Sequence, residues 1–174
     1  AYTGLRWGEM AALRVGDIRT DRRRIDVRRA VAEVRGDLVY STPKTHERRS
    51  VPYPAFLDGA LASECAEKAL DDLVFTGPKG GPLRVSDFRP RQFLPAVNRC
   101  QRVDPSFPRV TPHDLRHTAA SLAISAGANV KAVQTMLGHK SAAMTLDTYA
   151  DLFPDDLDQV ATALQRAATK SRGA

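Results

Sequence analysis

Arg6 lies in the string Thr3-Gly4-Leu5-Arg6-Trp7-Gly8-Glu9, and Arg116 in Thr111-Pro112-His113-Asp114-Leu115-Arg116-His117. Guanidinium forks on two separate elements suit a phosphodiester, whose non-bridging oxygens gain charge at a pentacoordinate transition state, and they do so without a metal. His113 and Arg116 are three apart, so a helix puts them on one face, in an opening turn whose amides also favour an anion. His139 follows Gly138, which can end a helix and leave the imidazole at a loop where it could donate to a phosphate oxygen. Lys44, in the turn Pro43-Lys44-Thr45-His46, is an ammonium on a flexible stem able to protonate a leaving oxygen, with His46 beside it as a spare. The phenols of Tyr2, Tyr40, Tyr53 and Tyr149 are either nucleophiles or buried aromatics with bonded hydroxyls. A phenol of pKa about 10 attacks only when its proton is removed and cations stabilise the charge.

Each of these residues also has a plainer reading. Arginines hold helix ends and carboxylates, a lone histidine caps a helix or sits bonded in a core, and a turn lysine is solvated. His113 and His117 are spaced as a metal pair, but Asp114 stands where the zinc string His-Glu-x-x-His has Glu.

The elements that position these groups are legible from caps and periodicity. Residues 7–13 read as a short helix, and a β-branched stretch from Arg24 to Val34 as a strand. Gly36-Asp37 turns into a second strand over 38–42, and 43–46 into a third over 48–52. The pattern predicts a three-stranded antiparallel meander with Lys44 near its second turn. Pro54 opens a helix ending near Lys68, residues 77–82 form a loop, and Ser86 caps a helix that Pro90 and Pro95 distort or break. Thr111 as N-cap with Pro112 at the first position starts an Ala- and Leu-rich helix ended by Gly127. Asn129 caps a helix ending at Leu137-Gly138, and Ser141 caps one reaching Tyr149. Pro154 opens a last amphipathic helix with Leu157, Val160, Ala161 and Leu164. The fold class is α+β, mostly α-helical with a small three-stranded antiparallel β-sheet.

With 174 residues, 43% of them hydrophobic, the chain has room for one domain with a real core. Lys and Arg total 26 against 20 acidic residues, a net of +6, which favours a polyanionic partner, nucleic acid first. Basic residues outnumber acidic ones in 1–50 and 86–140, and the reverse holds in 51–85 and 141–174, so the basic blocks make one positive face if they meet. Cys65 and Cys100 form no C-x-x-C pair, which excludes a disulfide framework and a four-cysteine zinc site and points to a reducing compartment. No apolar run approaches the roughly 20 residues that span a bilayer, and the start has no signal-peptide form, so a cytoplasmic location without membrane association is expected. The first residue is not Met, and a longer parent with an N-terminal domain is expected.

As an ordered set, the two arginine strings and Leu137-Gly138-His139, followed ten residues after the histidine by Tyr149, resemble the tyrosine recombinase or phage integrase family. The resemblance runs from Arg6 to Tyr149. It implies that residues 1–152 are an N-terminally truncated catalytic domain, and that 153–174 are a C-terminal helix and tail that dock onto a neighbouring protomer or pack on their own domain. It implies a site of Arg6, Lys44, His113, Arg116, His139 and Tyr149, with Tyr149 the nucleophile. His113 then does acid/base or phosphate-stabilising work, Lys44 is the hairpin lysine, and His139 stands where the family has His or Trp. Glu9 is expected to brace the arginine or its helix, and His117 to be structural. Arg22-Arg23-Arg24, Arg28-Arg29 and Arg48-Arg49 are expected to be phosphate contacts or solvated faces. The implied activity is site-specific DNA recombination through a 3′-phosphotyrosyl link, integrating or excising a mobile element, with no cofactor, metal or ATP. The implied partners are double-stranded DNA, further copies of the chain as a tetramer in the full-length protein, and accessory DNA-bending or directionality proteins. The rivals are a type IB topoisomerase-like relaxing enzyme, a catalytically silent DNA-binding regulator, and a zinc hydrolase using His113 and His117.

Overall fold

A computed structural model describes residues 1–42, 49–152, 161, 162, 164–166, 168 and 169. The site-bearing half is built by three helices whose ends are fixed by side chains. Helix α5 (Asp114–Ser125) ends before Gly127, whose φ of 85° lies in the left-handed region. Asn129 Oδ1 accepts from the Ala132 amide at 2.8 Å to start α6 (Val130–Leu137), and Gly138 at φ 65° ends it. Ser141 Oγ accepts from the Met144 amide at 3.4 Å to start α7 (Ala142–Tyr149). These caps are the ones the sequence specifies. Thr111 differs: His113 is the N-cap of α5, while the Thr111 amide and hydroxyl bond Asp114 Oδ2 at 2.7 and 2.9 Å.

The other half contains α1 (Trp7–Ala11), five strands, α2 (Asp58–Cys65), α3 (Val85–Phe88) and α4 (Leu94–Val103). A 3-10 turn over Ala55–Leu57 precedes α2, which ends at Cys65, short of Lys68. Pro90 and Pro95 do not break the 85–103 segment. A π turn over Arg89–Phe93 joins α3 to α4, the wider turn accommodating residues that donate no amide.

The strands are β1 (Ile18–Arg19), β2 (Arg24–Val27), β3 (Ala30–Val34), β4 (Asp37–Ser41) and β5 (Arg49–Pro52). A three-stranded antiparallel sheet is present, but its order is β1-β2-β5, and β3-β4 form a separate hairpin. The expected long strand over 24–34 is divided at Arg28-Arg29. Arg29 Nη1 bonds the buried Asp17 at 2.7 Å and Arg28 Nη2 bonds Asp26 at 3.1 Å, so the backbone turns here to bring two cations onto carboxylates. β2 then pairs with β5, Ile25 opposite Val51 and Val27 opposite Arg49.

Three apolar clusters result. Val27 and Val51 meet Ala119, Ala120 and Ile124 of α5, Val133, Met136 and Leu137 of α6, and Tyr149 of α7. Leu13, Ile25, Tyr53 and Val74 form a second cluster, and Leu5 packs against both. Ala11, Ala12 and Val31 set α1 on β3. Among the described residues no helix is long and apolar enough to cross a membrane.

Candidate active site

The C-terminal end of α6 organises the site. Its last carbonyls have no partner within the helix and carry the negative end of the helix dipole, so they attract cations. Arg49 Nε donates to Met136 O at 3.1 Å, Arg116 Nη2 to Leu137 O at 2.5 Å, and Arg6 Nη2 to Gly138 O at 3.4 Å. Three guanidinium groups from three separate elements thus meet three successive carbonyls. Arg116 also donates to the Gly4 carbonyl. Gly4 has φ 63°, and a Cβ there would stand 3.0 Å from Leu137 Cδ2, so the Thr3-Gly4-Leu5 segment reaches α6 because this residue has no side chain.

Glu9 is the carboxylate among the three arginines. Arg6 Nη1 donates to Oε1 at 3.0 Å, Arg49 Nη1 to Oε1 at 2.9 Å, and Arg49 Nη2 to Oε2 at 2.6 Å. Burial raises the Glu9 carboxyl, but the hydrogen bond and charge of Arg49, joined by Arg6, outweigh it and hold the group below its ordinary value. The brace expected of Glu9 is therefore present. Arg116 is 6% exposed, and burial, with the neighbouring charge of Arg6 adding to it, lowers its pKa to about 10. The guanidinium stays charged near neutral pH, in a pocket that an added anion would relieve.

His139 follows directly. Its Nδ1 is 3.0 Å from the hydroxyl of Thr145, which is fully buried, so α7 fixes the ring plane. Burial first, then the charges of Arg116 and Arg6, lower its pKa. Tyr149, at the end of α7, is 6% exposed and packs its ring into the first cluster. Its hydroxyl lies 2.6 Å from His117 Nδ1. Burial raises the phenol's pKa, and the charge of Arg116 partly offsets this. His113 is exposed at the start of α5 and packs edge-on against His117, ring centroids 5.1 Å apart. Among the described residues no three His, Cys, Asp or Glu side chains group as metal ligands.

Arg6, Arg116, His139 and Tyr149 are thus drawn to one junction of α5, α6, α7 and the start of α1, with His113 at its solvent edge. Lys44, like His46, lies outside the described residues. Two residues at this junction carry more than the sequence reading gave them. Arg49 was expected on phosphate or in solvent, yet it is buried on Glu9 and the α6 carbonyl. The signal was the two-residue period of β5, which puts Arg49 on the same face as the core residue Val51. His117 was expected to be structural, and it holds the Tyr149 hydroxyl. Arg23, Arg28 and Arg29 spend guanidinium nitrogens on Asp58, Asp26 and Asp17.

The sequence model of the Phage integrase family matches residues 1–155. The transposase from transposon Tn916 of Enterococcus faecalis is 31% identical over 162 residues, which cover 85% of this chain and 39% of that protein. Tyrosine recombinase XerC of Mycobacterium tuberculosis is 32% identical over 152 residues, covering 82% and 44%. The chain therefore spans well under half the length of these curated relatives. Among solved structures, the Tn1549 transposon integrase in complex with a circular intermediate DNA superposes with a TM-score of 0.76 at 24% identity, over 94% of this chain and 55% of that one. The XerA recombinase superposes at 0.64 and 24% identity, over 99% and 55%. These likenesses show the same fold.

Proposed function

This chain belongs to the phage integrase family, and from that membership and its site we propose that it is the catalytic domain of a site-specific DNA recombinase. It cleaves and rejoins double-stranded DNA through a 3′-phosphotyrosyl link, in the integration or excision of a mobile element. The observation that carries this reading is the convergence of Arg6 and Arg116 on the carbonyls of Gly138 and Leu137, directly before His139. Each guanidinium keeps N–H donors beyond those bonds, and a phosphodiester supplies the acceptors and the charge the pocket lacks.

In the proposed cycle, Arg6 and Arg116 bind the non-bridging oxygens, and His113 and His139 flank the phosphate. Tyr149 Oη attacks phosphorus. The phenol gives up its proton to a base as the Oη–P bond forms and the P–O5′ bond breaks, and the 5′ oxygen takes a proton from Lys44 or His113. Attack by the 5′ hydroxyl of a partner strand reverses the step. The phosphotyrosyl link keeps the bond energy, so the cycle calls for no ATP. Assembly on DNA as a tetramer, with residues 153–174 docking onto a neighbouring protomer, and help from accessory DNA-bending or directionality proteins belong to the same proposal. Likeness to transposon transposases and to DNA-bound integrases supports the mobile-element and DNA parts of it.

A nicked suicide substrate tests the reading, because the short strand diffuses away and traps the covalent intermediate. The full-length protein is expected to give an adduct on a denaturing gel that Tyr149→Phe abolishes. DNA binding without an adduct indicates a silent regulator. An adduct accompanied by plasmid relaxation, with no strand exchange between two sites, indicates a topoisomerase-like enzyme.

A further inference from the structure

Tyr149 cannot attack phosphorus while it keeps its proton, and the arginines that would stabilise its oxyanion are not proton acceptors. We propose that His117 is the base that takes this proton: its Nδ1 lies 2.6 Å from Tyr149 Oη, within reach for direct transfer. The proposal rests on the recombinase reading and adds a catalytic residue to it.

The other two histidines of the junction are placed for different tasks. His139 turns its Nδ1 to the Thr145 hydroxyl at 3.0 Å, and His113 stands exposed with its ring edge-on to that of His117. His117 is set from both sides. Helix α5 carries it immediately after Arg116, and the last residue of α7 delivers the phenol to it, the two rings 5.8 Å apart at 51°. Burial in the cluster of Val27, Val51 and Leu137 disfavours a free phenolate, so loss of the proton is best coupled to attack, with the acceptor already hydrogen-bonded.

For the transfer, Nε2 of His117 carries the ring proton and Nδ1 accepts. The Oη–H bond breaks and the proton moves to Nδ1. The Oη–P bond forms, the P–O5′ bond breaks, and the 5′ oxygen is protonated by a separate donor. In the return step, the 5′ hydroxyl of the incoming strand gives its proton to that same separate group as the P–O5′ bond forms, the Oη–P bond breaks, and His117 returns its proton to Oη.

His117→Gln and His117→Asn in the full-length protein test this with the suicide substrate. Asn leaves an acceptor near the place of Nδ1 but is no base. Both variants are expected to form the adduct roughly 100-fold more slowly or worse, with DNA binding by gel shift unchanged. Replacing Tyr149 by a fluorinated tyrosine that ionises at the assay pH is expected to restore about tenfold or more of that loss, and to speed the parent protein far less. Wild-type rates in either His117 variant, or a folded, DNA-binding variant that the acidic phenol does not rescue, would overturn the assignment. A parent protein that forms no Tyr149-dependent adduct fails at the recombinase reading instead, and that outcome removes both.

Discussion

Glu9 and Arg49 form a buried ion pair, their side chains 2% and 6% exposed, and such pairs are costly to break by halves. Glu9→Ala leaves Arg49 charged in the interior and is expected to lower unfolding stability by about 3–5 kcal/mol in urea melts. Replacing both, as Glu9→Leu with Arg49→Met, removes the uncompensated charge and is expected to recover most of that loss. Adduct formation is not expected to recover with it, because Arg6 has then lost the carboxylate that orients Nη1. A double variant that regained both stability and adduct would show that Glu9 contributes nothing to Arg6. His139 links the site to pH. Its folded pKa lies below 6.5, so between 6.5 and that lower value the unfolded chain binds a proton that the folded chain refuses. Stability therefore falls as pH falls through this window and levels off once the folded ring is also protonated. His139→Asn is expected to flatten the dependence of the urea midpoint on pH just below 6.5, and an unchanged slope would assign the effect to other groups.

The α6–Gly138–His139 element ties fold to site. Gly138 combines φ 65° with a Cβ position 3.0 Å from the Arg49 side chain, so alanine there is strained twice. Gly138→Ala is expected to cost about 1–2 kcal/mol from the backbone alone, and to reduce adduct formation further by pushing Arg49 off the α6 carbonyl. Full activity with the stability loss would separate the cap from the site. Such elements are the part of the molecule that reads directly from sequence: Asn129, Gly138 and Ser141 act through neighbours three or four residues away, and they end and start helices where local chemistry says they should. The sheet reads less well because its pairing depends on distant groups. Nothing within 24–34 announces that Arg28 and Arg29 will bend the strand toward Asp17, 11 and 12 residues earlier, and this bend puts β2 beside β5. The site divides the same way. Arg6, His113, Arg116, His139 and Tyr149 lie in recognisable strings, whereas the roles of Arg49 and His117 arise from contacts 40 and 32 residues apart in the chain.

Across the whole molecule the net charge of +6 predicts DNA binding that weakens with salt, but the surface arginines do not contribute alike. Arg23 Nε is held on Asp58 at 2.8 Å, so a phosphate would have to displace a carboxylate to use it. Lys140 is exposed and directly follows His139, which is proposed to flank the phosphate. A plot of log binding constant against log salt concentration for the full-length protein distinguishes them. Lys140→Ala is expected to make the slope shallower by about 0.9, the value for one lost phosphate contact on duplex DNA, and to weaken binding to all sequences alike. Arg23→Ala is expected to leave the slope unchanged. If Arg23→Ala shifts the slope and Lys140→Ala does not, the DNA lies over the β1-β2 end of the sheet and away from the α6 terminus. The guanidinium cluster would then be a device for closing the fold, through its four carbonyl bonds and its bonds to Glu9.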